Sequence, residues 1–418
     1  MLQNKVIIGD CRAVLSSKYV LDYASYDGCG RPELRKEGKV SIVYIDPPYN
    51  TGSKLCYNDK RDDDDWEALL EESLVSCRYL LRDDAVIFVS IDDNKYAELK
   101  LLLDNYYDYL GTFITHQAQR SNAKHVNTTH EYVLCYAKDK SKVKPFSVLR
   151  KDNPEESWLV GRIDRAVSVV FNDYYNRYGV EQAISYAQSA LLALIQHYTL
   201  GGENSWLNNY NRVDENGKVF YPVDLSVPGT PRRVDIDEIN LHLDPLKTRG
   251  WVSDDEFIRL HGEGRLYFRD GRPYRKKYLH EAEMKAQSIL PFYSRQGTED
   301  LKRLGLGGLF DNPKPVELIK HLIRLTGIRD GVVLDFFAGS GSTGQAVIEL
   351  NACGDYSLNY LLIQKQEIVR TEKVLAACEK YEVNPFIEDL LVNRLKMVYE
   401  RVGVEKDFAV EVPVLTER

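Results

Sequence analysis

The chain has 418 residues, 44% of them hydrophobic and 28% charged, which predicts a globular protein with two domains or one domain carrying a large insertion. Its formal net charge of −8 excludes a protein that coats nucleic acid through overall positive charge, so any nucleic-acid surface must be local. No apolar run reaches the length of a membrane span, and the first residues, MLQNKVIIGDC, lack the signal-peptide pattern. The seven cysteines are scattered without a C-x-x-C, and the eight histidines form no H-x-x-x-H. These features predict a cytoplasmic protein without a disulfide framework or a metal site.

Strands and helices alternate through the first 145 residues. KVIIGD (Lys5–Asp10) predicts a short strand that ends in a Gly-Asp turn before a helix, and SIVYI (Ser41–Ile45) predicts a strand buried on both faces. An amphipathic helix from about Asp65, the strand AVIFVSID (Ala85–Asp92) and the helix NKYAELKLLLDNYY follow. GTFITHQ and EYVLCYAK predict an edge hairpin. This alternation is typical of a doubly wound α/β sheet.

The alternation stops near residue 145 and returns near residue 300. The segment between them is rich in Tyr, Trp, Arg and short turns. After it come the predicted helix PKPVELIKHLIRL, the strand GVVLDFF, the helix GSTGQAVIELN and the strand NYLLIQ. We therefore predict a Rossmann-like core formed by residues 1–145 and 301–418, interrupted by an insert at 146–300.

The first motif is YIDPPYNTG (Tyr44–Gly52), directly after a predicted buried strand. Two consecutive prolines end a strand, because each lacks an N–H and has a fixed φ. Asp46 and Tyr49 are thus predicted on a stiff loop at the carboxyl end of the strand, where open α/β sheets bind their ligands. A plain strand-ending turn, with Asp46 capping a helix, is the alternative.

The second motif is VLDFFAGSGSTG (Val333–Gly344), a predicted strand, a glycine-rich turn and a helix start. Its G-x-G-x-x-G is weak evidence for a dinucleotide site, since the next strand ends in Gln364 and not in an acid. Asp335 before the glycines fits a zwitterionic amino-acid tail, with the carboxylate on the ammonium and the helix N-terminus facing the carboxylate. S-adenosylmethionine has such a tail. A turn acid in another nucleotide-binding fold is the alternative.

Together, DPPY followed by NTG and DFFAGSGSTG resemble the S-adenosylmethionine-dependent DNA adenine-N6 methyltransferases of the permuted β group. In that group the catalytic motif precedes the cofactor motif, and a target-recognition insert separates them. GDC near the start, YND…W, SIDD, HEYVLCYAK and FDNPKPVELI add to the resemblance, and several of them resemble type III modification subunits. The resemblance covers roughly residues 1–145 and 290–370.

The resemblance implies S-adenosyl-L-methionine as the cofactor. The residues predicted to bind it are Asp10, Lys314, Pro315, Asp335, Phe336, Ala338, Gly339, Ser340, Gly341, Thr343 and Gln364. Three assignments keep alternatives. Gln364 or Glu367 contacts the ribose, Asp10 contacts the adenine or caps the next helix, and Lys314 is a cofactor contact or a solvated helix start.

The resemblance also implies the catalytic set Asp46, Pro47, Pro48 and Tyr49. Adenine N6 is a poor nucleophile, because its lone pair is delocalised into the ring. Acceptors on its two N–H groups, the Asp46 carboxylate and the Pro47 carbonyl, would free the lone pair. Tyr49 would stack on the base after it has flipped out of the duplex. In the family, Asp at the first position resembles adenine-N6 enzymes, and Ser resembles cytosine-N4 enzymes.

The insert contains GRLYFRDGRPYRKKY (Gly264–Tyr278), with six basic residues against one acid, interleaved with aromatic residues. This predicts DNA phosphate contacts, or alternatively an exposed charged hairpin around Asp270 and Gly271. Two further candidates for DNA contact, Arg120 and Lys124, are predicted beside the edge of the sheet that carries the catalytic motif. The predicted DNA-binding residues are Arg120, Lys124, Arg269, Arg272, Arg275 and Lys276.

The predicted function is site-specific methylation of adenine N6 in double-stranded DNA. The alternatives are a DNA-binding modification subunit that is inactive without a partner, and a cytosine-N4 methyltransferase; an RNA substrate and a nicotinamide-dependent dehydrogenase are less favoured. Similarity to the group suggests a homodimer. The chain is shorter than typical type III modification subunits and has no P-loop or nuclease motif, which argues against a restriction partner.

Overall fold

The computed structural model describes residues 3–17, 20, 39–51, 54–59, 62–117, 125–153 and 155–413. The chain forms two compact units, Met1–Ser147 with Lys285–Arg418, and Val148–Met284. The second unit is shorter than the predicted insert at 146–300, because residues 285–300 belong to the first unit.

The described residues form the following elements. The strands are β1 (Asn4–Ile8), β2 (Val40–Ile45), β3 (Leu81–Ile91), β4 (Asp108–His116), β5 (His130–Ala137), β6 (Ser147–Leu149), β7 (Arg212–Val213), β8 (Val219–Asp224), β9 (Ser226–Val227), β10 (Val234–Ile236), β11 (Leu241–Leu243), β12 (Gly250–Trp251), β13 (Leu266–Arg269), β14 (Arg272–Tyr278), β15 (Glu283–Lys285), β16 (Ile289–Tyr293), β17 (Asp330–Asp335), β18 (Ser357–Gln364) and β19 (Phe408–Glu411). The α-helices are α1 (Cys11–Leu15), α2 (Asp63–Arg78), α3 (Tyr96–Asp104), α4 (Ser157–Tyr178), α5 (Val180–Tyr198), α6 (Asp254–Gly262), α7 (Arg295–Arg303), α8 (Val316–Thr326), α9 (Ser342–Ala352), α10 (Glu372–Lys380) and α11 (Ile387–Val402).

The first unit is built on a sheet with the strand order β16-β4-β5-β3-β2-β17-β18-β1-β19. All neighbours from β3 to β19 are parallel, whereas β5 is antiparallel to both β3 and β4. The long stretch of parallel strands needs helical crossovers, which the sequence supplies between them. The sheet confirms the predicted doubly wound α/β class.

The centre of the sheet joins the two ends of the chain. Strand β2 is buried along its whole length and pairs in parallel with β17, with Val43 opposite Leu334. Parallel neighbours end at the same edge of a sheet. Asp46, which follows β2, and Asp335, which ends β17, are therefore placed side by side although 289 positions separate them in sequence (335 − 46).

Both edges of the sheet differ from the sequence prediction. The predicted hairpin forms as β4 and β5, but it does not lie at the edge, because β16 pairs in parallel with β4. At the other edge β19 pairs in parallel with β1. Each of these edge strands is short and has an irregular apolar pattern, so the sequence analysis did not predict it as a strand.

Helix α2 begins at Asp63, so acids occupy its first turn, where the helix dipole favours negative charge.

The second unit contains a helical pair and several small sheets. Helices α4 and α5 are separated by Gly179, whose φ of 83° suits glycine, and they pack through buried apolar residues of both helices. A four-stranded sheet has the order β13-β14-β8-β7. The predicted hairpin is confirmed as β13 and β14, joined by Asp270 and Gly271 with left-handed φ values of 52° and 73°.

In the part of the chain that the structure describes, no helix is long and apolar enough to cross a membrane. The same residues contain no group of three or more His, Cys, Asp or Glu side chains arranged to hold a metal ion.

Candidate active site

A pocket of about 920 Å³, partly open to solvent, lies in the first unit at the carboxyl ends of β2 and β17. Asp46 and Asp335 both line it. Most of the predicted site residues line it as well: Asp10, Pro48, Lys314, Phe336, Ala338, Gly339, Ser340, Thr343 and Gln364. Four predicted residues are not among those that line it: Pro47, Tyr49, Pro315 and Gly341.

The loop after β2 is fixed by a buried acid that the sequence analysis assigned no role. Asp59, only 3% exposed, accepts hydrogen bonds from the Tyr49 N–H at 2.9 Å, the Thr51 N–H at 2.8 Å and the Thr51 hydroxyl at 2.6 Å. The indole N–H of Trp66 donates to the Pro48 carbonyl at 2.7 Å. Two prolines and these four hydrogen bonds hold the loop in one conformation.

Replacing Asp59 with alanine is expected to lower the free energy of unfolding by about 2–4 kcal/mol, because it removes the buried acceptor of three hydrogen bonds. Chemical denaturation measures this loss. The matched control is Asp64→Ala, which removes an exposed acid from the first turn of α2 and is expected to cost less than about 1 kcal/mol. Equal losses in the two variants would show that Asp59 does not anchor the loop.

Asp46 has a carboxylate oxygen that is buried but not hydrogen-bonded. Its side chain is 26% exposed, and Oδ1 lies 3.4 Å from Lys314 Nζ. Oδ1 has no hydrogen-bond partner among the described residues. Burial raises the pKa of Asp46 to about 6, with the positive charge of Lys314 opposing this shift and the negative charge of Glu131 adding to it. Oδ1 is thus a buried acceptor without an occupant.

Lys314 lies beside Asp46 in the pocket. Its side chain is 12% exposed, and Nζ donates to Glu131 Oε2 and to the Tyr49 hydroxyl, each at 2.6 Å. The ammonium also lies 4.8 Å from the centroid of the Tyr49 ring. Burial alone would lower the pKa of Lys314, but the charges of Asp46 and Glu131 raise it. The alternative of a solvated helix start is wrong, since the side chain is buried in an ion pair.

Beside Asp46 in the same pocket, Asp335 is 3% exposed and holds the turn that follows it. Its Oδ2 accepts from the Thr343 hydroxyl at 2.6 Å, and its Oδ1 accepts from the Phe337 N–H at 3.0 Å. Burial raises the pKa of Asp335 to about 7, although both hydrogen bonds oppose this shift. Each oxygen keeps a further lone pair for a ligand cation.

The glycine-rich turn has a backbone conformation that favours glycine, and a buried arginine holds it by hydrogen bonds. Gly339 and Gly341 have left-handed φ values of 49° and 79°. Arg394 of α11 is 1% exposed, and its Nη1 donates to the Ser340 carbonyl at 3.3 Å and to the hydroxyls of Ser340 and Ser342 at 2.8 Å. Burial lowers the pKa of Arg394 to about 10, a value at which the guanidinium is still charged at neutral pH.

Three polar residues lie where β1 and β18 end. Gln364 accepts from the Gly339 N–H at 2.7 Å and donates to the Lys365 carbonyl at 3.0 Å, so it shapes the turn. Asp10 both caps α1, by accepting from the Arg12 N–H at 3.1 Å, and lines the pocket. Glu367 lines the pocket too, and its Oε1 accepts from the Asn58 N–H at 2.5 Å.

The predicted DNA-binding residues are placed differently from one another. Arg120 and Lys124 lie outside the described residues. Arg269 is half-exposed at the hairpin tip, and Arg272 pairs with Asp224 at 2.6 Å. The Lys276 side chain is 5% exposed and pairs with Glu215 at 2.7 Å, which argues against the predicted phosphate contact.

Four residues important to the site were not predicted from sequence: Glu131, Asp59, Trp66 and Arg394. The signals were present but weak. Glu131 is the second residue of β5 and precedes its apolar run, and Arg394 lies on the apolar face of α11, between Leu391 and Leu395. A charge within an apolar pattern marks a buried ion pair or network.

Known proteins similar to this chain include two DNA-modifying proteins. The type III restriction-modification enzyme EcoPI Mod subunit of Escherichia phage P1 is 28% identical in an alignment of 389 positions that covers 80% of this chain and 55% of that protein. The type II methyltransferase M.KpnI of Klebsiella pneumoniae is 25% identical in an alignment of 407 positions that covers 92% of this chain and 87% of that protein. The chain thus spans about half the length of the EcoPI subunit and most of the length of M.KpnI.

Solved structures show a broad likeness. TTHA0409 of Thermus thermophilus, complexed with S-adenosyl-L-methionine, has a TM-score of 0.41 at 13% identity and covers 98% of this chain and 99% of its own. The PvuII cytosine-N4-specific DNA methyltransferase has a TM-score of 0.39 at 11% identity, covering 96% and 93%. A family model described as DNA methylase matches residues 40–370, and this chain belongs to that DNA methylase family.

Proposed function

We propose that this chain transfers a methyl group from S-adenosyl-L-methionine to N6 of an adenine in duplex DNA. The observation that carries the proposal is that Asp46 and Asp335, at the ends of adjacent parallel strands, line one pocket. Membership of the DNA methylase family supports it, as do the names of the EcoPI and KpnI relatives.

The residues around Asp335 fit the cofactor, which supplies an electrophilic methyl group when bound. Asp335 offers a buried carboxylate to the ammonium, and the start of α9 offers N–H groups to the carboxylate. Tyr57 and Phe310 stack with ring centroids 5.6 Å apart and form a flat wall for a ring. Because Arg394 and Gln364 fix the turn from behind, binding requires little reordering of the chain.

The residues around Asp46 fit the adenine amino group. The Asp46 carboxylate and the Pro47 carbonyl accept hydrogen bonds from the two N–H groups of adenine N6. These hydrogen bonds draw the nitrogen towards tetrahedral geometry and free its lone pair. Among the described residues neither Asp46 Oδ1 nor the Pro47 carbonyl has a hydrogen bond, whereas the Pro48 carbonyl is occupied by Trp66. The base reaches this site by flipping out of the duplex, and Tyr49 stacks on it.

The experiment that tests the function is transfer of radiolabelled methyl from S-adenosyl-L-methionine to duplex DNA, followed by separation of the nucleosides. N6-methyladenine as the product is expected. N4-methylcytosine as the product would support the cytosine-N4 alternative instead. The aspartate at position 46 argues against that alternative. If the labelled methyl group is transferred to RNA in preference to duplex DNA, the substrate is RNA and not DNA.

A second candidate is a modification subunit that methylates only with a partner, because the EcoPI relative is named a subunit and this chain spans 55% of its length. A purified chain that is folded and binds S-adenosyl-L-methionine, yet transfers no methyl group to any DNA, would favour it. Light scattering of the same sample tests the homodimer that the resemblance suggests.

We further propose that the hairpin of β13 and β14 contacts DNA phosphates through Arg269, Arg272 and Arg275. The double variant Arg269→Ala/Arg275→Ala is expected to lower the slope of log K against log salt by about 2, since each phosphate contact contributes about 0.9. The control is Arg259→Ala, an exposed arginine of the same unit that pairs with Glu256 and Glu263. Equal slopes in wild type and double variant would leave the hairpin as a charged surface only.

A further inference from the structure

The catalytic acid lies within a buried cluster of charges contributed by separate elements. Asp46 follows β2, Glu131 belongs to β5 and Lys314 precedes α8, and all three belong to the first unit. The side chains of Lys314 and Glu131 are each 12% exposed. With one cation and two carboxylates, the cluster carries one excess negative charge when all three are ionised.

The three N–H bonds of the Lys314 ammonium are shared unequally. Glu131 Oε2 and the Tyr49 hydroxyl each accept at 2.6 Å, whereas Asp46 Oδ1 lies 3.4 Å away without a hydrogen bond. Glu131 is itself held, because the amide of Gln117 donates to its Oε1. Glu131, which is not proposed to contact the substrate, therefore forms the close ion pair with Lys314. Asp46, which is proposed to contact the substrate, does not.

This unequal sharing of the Lys314 hydrogen bonds allows Asp46 to be buried, ionised and unoccupied at the same time. A carboxylate alone in an apolar pocket takes up a proton, and then one of its oxygens becomes a donor. A carboxylate in a tight ion pair stays ionised, but its oxygen is already occupied. A cation held a short distance away by a second carboxylate keeps the first ionised and unoccupied.

We propose that Lys314 and Glu131 are a positioning pair for Asp46, in which Lys314 keeps the Asp46 carboxylate ionised and Glu131 keeps the ammonium from closing on it. Lys314 also fixes the hydroxyl of Tyr49, so one cation orders both side chains of the DPPY motif. The proposal rests on the proposed function for why Asp46 must be a free acceptor, but its test reads the Asp46 carboxyl directly.

The groups that bear on the titration of Asp46 come from every side of it. On its own strand and loop are Tyr44 and Tyr49; from other elements come Tyr57, Glu131, Lys314 and Asp335. Burial raises the pKa of all three tyrosines, which keeps them neutral near pH 7. Glu131 and Lys314 are therefore the charges to vary.

The test is an NMR titration of the full chain labelled with carboxyl-¹³C aspartate, with the Asp46 signal assigned by its loss in Asp46→Asn. Removing the cation in Lys314→Met is expected to raise the Asp46 midpoint by at least about 1 pH unit. Removing the second acid in Glu131→Gln is expected to lower it by at least about 1 pH unit, since the ammonium then closes on Asp46. Lys314→Arg, which keeps the charge, should leave it closer to wild type than Lys314→Met does.

A pair that stabilised the fold without acting on the Asp46 carboxyl would leave the midpoint unchanged in both variants. The matched control is Lys320→Met, which removes a largely buried lysine of α8 from its ion pairs with Glu317 and Glu349 and should leave the Asp46 midpoint unchanged. Should Lys314→Met fail to fold by circular dichroism, Lys314→Gln takes its place. Unchanged midpoints, or shifts in the same direction, would overturn the proposal.

The outcome separates this proposal from the proposed function. If the midpoints shift as expected and the acid limb of the methylation rate moves with them, both stand. If the midpoints shift but the wild-type chain methylates no DNA, the positioning pair stands and the function falls. If the wild type methylates DNA and the midpoints do not move, the positioning pair falls alone.

Discussion

The variant Asp46→Ala is expected to lose methyl transfer by about 1,000-fold, the effect of removing one preorganised acceptor from a reacting group. Asp46 Oδ1 is buried beside Lys314 with no hydrogen-bond partner among the described residues, so it is available to accept from the substrate amino group. The loss should appear in kcat, measured with duplex DNA. The S-adenosyl-L-methionine dissociation constant should stay within about twofold, because the variant retains Asp335, the proposed partner of the cofactor ammonium.

The pH dependence of the wild-type rate follows from the same group. Burial raises the pKa of Asp46 to about 6, so below this pH the carboxyl is protonated and the rate should fall. The matched variant Asp46→Asn keeps an amide oxygen as acceptor and should lose less activity than alanine, while losing the limb at pH 6. Normal turnover in Asp46→Ala would contradict the assignment of Asp46 as the acceptor.

The variant Asp335→Ala is expected to raise the S-adenosyl-L-methionine dissociation constant by about 10- to 100-fold, because a hydrogen bond to a charged group contributes about 1.5–3 kcal/mol. Calorimetry on the purified chain measures it. The pKa of Asp335 is raised to about 7, so in the wild type cofactor binding should weaken as the pH falls through 7 and the carboxylate is lost.

Two controls separate the ligand contact from the shape of the turn. Thr343→Val removes the hydroxyl that donates to Asp335 and keeps the acid, so it should weaken binding less than Asp335→Ala. Asp330→Ala changes an exposed acid at the other end of β17 and should leave binding as it is. A dissociation constant unchanged by Asp335→Ala would remove this residue from the cofactor site.

The central sheet could be predicted from sequence because its strands carry strong local signals. Buried parallel strands appear as short apolar runs, and punctuation by Gly-Asp, Pro-Pro and a glycine-rich turn marks where β1, β2 and β17 end. The same reasoning located Asp46 and Asp335 at one edge of the sheet. That the two line one pocket follows from β2 and β17 being neighbours, which strand order alone decides.

Glu131 was missed because its role depends on a distant partner. It lies 183 positions from Lys314, so no local pattern reveals that the two side chains touch. Helices α4 and α5 were missed for another reason. Their apolar residues recur at helical spacing, but in α4 tyrosines and arginines interrupt the pattern.

The most direct test of the account is sequencing of single DNA molecules from a methylation-free host that expresses this chain, beside one that expresses Asp46→Ala. The account predicts N6-methyladenine at one short sequence motif in the first host and its absence in the second. Methylation that persists in the Asp46→Ala host, or a mark on cytosine, would contradict it. A folded, cofactor-binding chain that leaves no mark would point to a subunit that needs a partner.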